Sequence, residues 1–255
     1  MTSLSPRRYV HAMKLYEQSC YFLVMDDLEF DEILVGGPSL LGTVRDRPVH
    51  SAITKARAPG PSLALGEINL DGDDQADRTV HGGVDKAVYV HPAANYAAWE
   101  SAGFAVSPGD MGENVTVAGA DESVVRIGDV WAWGDALVQA SQPRMPCFKL
   151  AMKTGRKDIA PAMIDSGRSG WYLRVLRTGE VPTSGGMTLV SRVPDAPTIA
   201  EVYVVFFADV ARLDSTRRRR YFELADRILA VPELAPQTRE GMLAKVERWE
   251  TRDAG

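Results

Sequence analysis

From Ile33 to Pro197 the chain is cut into short apolar stretches, most of them closed by glycine or proline. Runs of four to eight apolar or alternating residues suit strands and are too short for most helices. "ILVGG" ends a strand at Gly36–Gly37, "AVYVHP" (87–92) runs into proline, and "ENVTVAG" (113–119) alternates with period two. In "RIGDVWAWGDALVQAS" (126–141), Val130–Trp133 and Ala136–Ala140 flank Gly134–Asp135, a hairpin signal. "WYLRVL" (171–176) and "GMTLVSR" (186–192) lie on either side of the turn "RTGE". Two segments read as helices: "PAANYAAWESAG", stopped at Gly103, and "KDIAPAMIDSG", ending at Gly167. Many short strands with few helices imply a mainly β, α+β chain: a closed or nearly closed β-barrel with peripheral helices.

The flanks differ. Residues 1–32 match nothing regular and are read as an extension of uncertain origin, with Met25 as an alternative start. After Pro194–Pro197 the pattern turns helical. "TIAE" (198–201) has capping-box spacing, and segments near 214–230 and 237–250 are parted by "VPELAP". Three parts result: the extension, a barrel domain over 33–197 and a small three-helix module over 198–255. The run "RRRR" (217–220) spreads around its helix, with Asp214–Arg218, Arg219–Glu223 and Glu223–Arg227 spaced to pair.

Charge and cysteine content narrow the function. A net charge of −5 argues against nucleic acid or an anionic membrane as the main partner. No apolar run approaches a bilayer span, "CYFLVM" being stopped by Asp26 and Asp27, so a cytoplasmic location is expected. Cys20 and Cys147 are too few for a disulfide framework or for the four thiolates of an iron–sulfur cluster. His11, His50, His81 and His91 include no zinc spacing, "SGRSG" is not a nucleophile elbow, and neither a P-loop nor a dinucleotide fingerprint occurs.

Two stretches could carry chemistry. Cys147 stands in "SQPRMPCFKL" between Arg144 and Lys149, cations that favour a thiolate. Its two prolines are expected to take the segment out of a strand without letting it continue as ladder or helix. The alternative is a buried structural cysteine. In "DRTVHGGVDKAV", Gly82–Gly83 can form an anion-binding nest, with Arg78, His81 and Lys86 beside it. The alternative there is a plain turn before a strand.

Four separated motifs, "LDGDDQADRTVHGGVDKAVYVHP", "GDMGENVTVAG", "SQPRMPCFKL" and "SGWYLRVLRTGEV", occur in an order and spacing that resembles the MOSC domain family. The helical tail is similar to the three-helix domain of its YiiM-like branch. The resemblance implies a molybdenum cofactor (molybdopterin), with Cys147 as a protein ligand to molybdenum. It implies cofactor binding by Arg78, His81, Gly82, Gly83, Asp85, Lys86, Glu113, Asn114, Arg144, Lys149 and Arg174. It also carries an association with pyridoxal phosphate binding. The implied activity is reduction of N-hydroxylated compounds such as N-hydroxylated bases, with electrons from a separate reductase or ferredoxin-like partner. A homodimer is allowed, and the helical tail is a candidate docking surface. The competing readings are a cofactor or sulfur carrier using a Cys147 persulfide, and an unrelated β-barrel interaction module.

Overall fold

The structure is a computed structural model that describes residues 27–76 and 82–253. Its strands are β1 (Leu28–Val35), β2 (Ser39–Val44), β3 (Arg47–Ser51), β4 (Ala56–Arg57), β5 (Ser62–Leu65), β6 (Val88–Pro92), β7 (Val115–Ala118), β8 (Val130–Trp133), β9 (Ala136–Pro143), β10 (Trp171–Arg177), β11 (Gly179–Pro182) and β12 (Gly186–Ser191). The helices are α1 (Ala94–Ser101), α2 (Phe148–Thr154), α3 (Ile159–Ser166), α4 (Ile199–Phe207), α5 (Ser215–Leu229) and α6 (Pro236–Asp253).

Strands β12, β8, β9, β10, β6, β7 and β1 pair in that order, and β1 returns to β12 to close the barrel. All these pairings are antiparallel except β6–β7. The β8–β9 hairpin turns where expected. Gly134 has φ +55°, and a Cβ there would lie 2.5 Å from the Glu180 carbonyl oxygen, so only glycine fits.

The alternation of two strands explains where the site lies. Val88 and Val90 of β6, with Trp171 and Leu173 of β10, enter the barrel core. Tyr89 and Tyr172, one residue out of phase, face the opposite way into a second apolar cluster with Leu150, Met163 and Tyr203. That cluster lies against α2, the helix that begins beside Cys147.

The barrel starts earlier than the sequence reading placed it. Leu28, buried at 1% exposure, pairs with Met187, so β1 takes in residues assigned to the extension. Glu29, Asp31 and Glu32 leave the barrel core and give the stretch its polar look. The ribbon β2–β3 and the pair β5–β11 were not anticipated. The capping box at Thr198–Glu201 is present, each side chain bonding the other's backbone N–H. Pairing along α5 differs in detail. Asp214 caps Arg217 N–H, and Arg227 reaches Glu201 on α4 instead of Glu223.

The three C-terminal helices share one continuous core with the barrel. Ile199, Val202, Tyr221, Ala225 and Met242 pack in the same cluster as Trp131 and Val138. Ala235 N–H also donates to the Ser141 carbonyl of β9 at 3.0 Å. Among the described residues no helix is long and apolar enough to cross a membrane.

Candidate functional site

Strand β9 ends at Pro143, and Arg144 N–H donates to the Gly170 carbonyl at 3.1 Å. Cys147 then takes extended angles and α2 begins at Phe148. The expectation that this segment would not continue as a helix is thus corrected. Pro143 and Pro146 both precede the first helical residue, where a missing N–H removes no intrahelical bond. Cys147 is a free, half-buried thiol, and its neighbour Phe148 is 54% exposed.

Two buried cations flank it. Arg144 is 4% exposed and Lys149 is 8% exposed. Among the described residues neither has a carboxylate partner. Arg144 instead lies among soft and aromatic groups: its Nη1 is 3.3 Å from Met163 Sδ, and its guanidinium carbon is 5.8 Å from the Tyr89 ring centroid. Arginine remains protonated in protein sites, so this is a buried positive charge with no carboxylate beside it among the described residues. His91 is fully buried beside it. Burial, and then Arg144, pushes the imidazole down to about 3, so it is neutral. Its Nδ1 is 3.1 Å from Tyr89 Oη, while His91 Nε2 and the Tyr203 hydroxyl have no hydrogen-bond partner among the described residues.

Arg144→Met is expected to leave the cofactor-free protein as stable as wild type, or more stable by about 1–2 kcal/mol, because a buried unpaired charge is replaced by an apolar chain of similar length. Urea unfolding of both proteins checks this. A loss above about 3 kcal/mol would mean that the guanidinium is structurally satisfied.

The glycine bend is anchored to the same strand that leads to Cys147. Gly82 and Gly83 are half-buried, and Gly83, at φ +97°, donates its N–H to Gln75 Oε1 at 2.7 Å. Val84–Lys86 form a 3-10 turn. Ser141 Oγ of β9 donates to the Asp85 carbonyl at 2.6 Å and lies 3.1 Å from that of Tyr172. Asp85 and Arg174 form an ion pair at 2.8 Å. Lys86 Nζ donates to Gln237 at the start of α6. Arg78 and His81 lie outside the described residues.

Glu113 and Asn114 are buried in the framework behind Tyr89. Asn114 Oδ1 accepts from Tyr89 N–H at 3.0 Å, and its Nδ2 donates to Leu34 O and to Asp73 Oδ2 at 3.3 and 2.9 Å. Both amide hydrogens are used. Glu113 Oε1 is engaged by Tyr96, Gly109 N–H and Thr116. Burial holds its carboxyl above the usual range, against these bonds.

Sequence reasoning did not single out Tyr89, Tyr172 or the neutral, buried His91 as neighbours of Arg144. The period-two pattern of β6 and β10 carried that signal, since Tyr89, His91 and Tyr172 are out of phase with the apolar residues.

Glu122 lies behind the same wall. Its Oε1 accepts from Gly170 N–H at 2.6 Å and from Asn95 Nδ2 at 3.0 Å. Burial outweighs these bonds and raises the carboxyl from 4.5 to about 7. Between those values the folded protein holds a proton that the unfolded chain has lost. Its contribution to stability therefore falls as pH rises through that window, by at most about 1.4 kcal/mol per pH unit. His91 acts in the opposite sense below 6.5, because the unfolded chain gains a proton that the folded state refuses. Urea midpoints between pH 4.5 and 7 are expected to diverge for wild type and Glu122→Gln, the variant gaining relative stability with pH; parallel profiles would remove Glu122 from the titration.

The MOSC domain model matches residues 77–185. The chain is 41% identical to Protein YiiM of Escherichia coli over 160 residues, covering 61% of this chain and 70% of that protein. It is 35% identical to the uncharacterized protein YflK of Bacillus subtilis over 222 residues, covering 87% and 90% of the two chains. The crystal structure of YiiM from Geobacillus stearothermophilus superposes with a TM-score of 0.67 at 30% identity, covering 85% of this chain and 98% of that one. None of these matches supports pyridoxal phosphate binding, and that expectation is withdrawn. A closed barrel of this order, the cysteine segment at the end of β9 and agreement along 90% of YflK and 98% of the Geobacillus stearothermophilus YiiM chain place this chain in the MOSC domain family, on its YiiM-like branch.

Proposed function

We propose that the protein holds a molybdenum cofactor at Cys147 and reduces N-hydroxylated compounds there. The supporting observation is a half-exposed thiol flanked by two buried cations that lack carboxylates. Leaving charge buried and unpaired is costly, so these cations fit an anion supplied from outside the chain. Among the described residues no three His, Cys, Asp or Glu side chains converge to hold a metal ion. A metal at Cys147 would arrive with other ligands of its own, as one bound by a pterin dithiolene does, and a soft thiolate suits such a centre.

Cys147 would supply the protein ligand, and Arg144 and Lys149 would balance anionic charge near it. The bend at Gly82–Gly83, with Lys86, would take the pterin phosphate. His91, neutral at working pH, offers its free Nε2 without adding charge. When bound, the cofactor supplies a two-electron centre able to take up an oxygen atom. The overall reaction consumes two electrons and two protons, breaks the N–O bond and leaves an N–H compound and water. Two cysteines cannot hold a four-thiolate cluster, so the electrons come from a separate reductase or ferredoxin-like protein. The reading places the protein in the cytoplasm with a small N-hydroxylated substrate.

Protein made in a cofactor-competent host tests this. Molybdenum and pterin at one per chain, with benzyl viologen-driven reduction of an N-hydroxylated purine, is the expected result. Bound cofactor without turnover, or a Cys147 persulfide seen as the added mass of one sulfur, would favour a carrier instead. Neither cofactor nor persulfide would end both readings.

A further inference from the structure

We propose that the rim beside Cys147, formed by α2 with its following loop and by the ribbon β2–β3, is the docking face for an acidic one-electron carrier protein. The inference rests on the reductase reading, because that reading requires electrons from outside the chain.

Charge carries the first part. Although the chain has a net charge of −5, no carboxylate occurs between Asp135 and Asp158, where Arg144, Lys149, Lys153, Arg156 and Lys157 lie. Two of these are partly neutralised, Lys153 by Asp110 at 3.5 Å and Arg156 by Asp158 at 2.8 Å. Lys157 is exposed and has no ion-pair partner among the described residues. The ribbon adds two exposed cations, Arg45 and Arg47, against one exposed carboxylate, Asp46, at its turn, which leaves the rim positive on balance.

Shape carries the second. Among the described residues the ribbon pairs only with itself, outside the barrel. It meets α2 at Gly42, where a Cβ would lie 3.1 Å from Met152 Cε. Leu40 and Val44 of the ribbon remain 62% and 43% exposed, and Phe148, next to Cys147, is 54% exposed. Exposed apolar groups bordered by unpaired cations have the composition of a transient interface, an apolar centre with a polar rim. The sign of the rim selects the partner. Two copies of this face would repel each other, whereas a carrier with an acidic surface would be steered onto it, and the α2 helix of this face begins next to Cys147.

The test uses an acidic plant-type [2Fe–2S] ferredoxin and the triple variant Arg45→Glu, Arg47→Glu, Lys157→Glu, which touches none of the residues assigned to the cofactor. Calorimetric titration is expected to show binding to wild type that weakens with salt, and at least about tenfold weaker binding to the variant. With reduced ferredoxin as donor, KM for ferredoxin should rise by about the same factor. The viologen-driven rate, which needs no docking, should stay unchanged. Equal affinity of wild type and variant, or binding insensitive to salt, would overturn the proposal. So would loss in the variant of self-association or of binding to phosphatidylserine vesicles, with ferredoxin binding retained. Absence of viologen-driven activity in wild type would instead strike the reductase reading and leave the binding result standing on its own.

Discussion

Cys147→Ala is expected to lower kcat/KM for an N-hydroxylated purine by about 1000-fold or more, while shifting stability by less than about 1 kcal/mol. The two halves of this result come from different observations. The thiol is half-buried, makes no side-chain cap bond at the start of α2, and lies outside both apolar core clusters. Removing one sulfur from such a position opens no cavity of consequence. If Cys147 is the protein ligand, its loss removes a group acting directly at the reacting centre, and such losses cost several orders of magnitude. Steady-state kinetics with a viologen donor and urea unfolding of the same samples read both quantities. Unchanged kinetics would take Cys147 out of the chemistry. A large loss of stability would return it to the structural role that its sequence also allowed.

Asp73→Ala is expected to cost about 3–5 kcal/mol, the largest loss of stability from a single change near the site. The Asp73 carboxylate accepts from Gly36 N–H at 2.8 Å, from Asn114 Nδ2 at 2.9 Å and from Lys55 Nζ. The side chains of Lys55 and Asp73 are only 5% and 4% exposed. Burial lowers the Lys55 ammonium pKa despite its partner, so alanine at 73 would leave a desolvated cation and an unsatisfied amide. The double variant Asp73→Leu/Lys55→Met should recover much of that loss, because removing both members of a buried pair costs far less than removing one. Failure of the double variant to recover stability would mean that the bonds to Gly36 and Asn114 dominate. Activity should also fall in Asp73→Ala, since Asn114 links Asp73 to the backbone of Tyr89, over whose ring Arg144 lies.

The barrel was legible where one face of a strand is buried and the other is not, as in 113–119 and 126–141. It was illegible in β2–β3, which is open to solvent along most of its length and carries no alternation to read. The start of β1 was hidden by its acidic residues. The helix after Cys147 was hidden by prolines that look like breakers yet stand just ahead of its first turn. Arg144, Cys147 and Lys149 were legible as a group because they lie within six residues. Their lack of carboxylates was not, since it depends on what the fold brings near them. Asp73 and Asn114 are 41 residues apart, and nothing local marks one as the partner of the other. Nothing in "DGDDQAD" singles out Asp73 among its carboxylates as a buried framework residue.

The single core common to the strands and the last three helices bears on how this protein can be cut and reused. A fragment ending near Pro194 would contain the whole span matched by the family, 77–185, yet would bare the apolar surface now covered by Ile199, Val202 and Met242. It would also drop Gln237, which meets Lys86, and Thr238, which bonds Gln142 of β9 at 2.9 Å. The span that the family shares should therefore not fold by itself, and a chimera that borrows it alone should emerge from expression as aggregate.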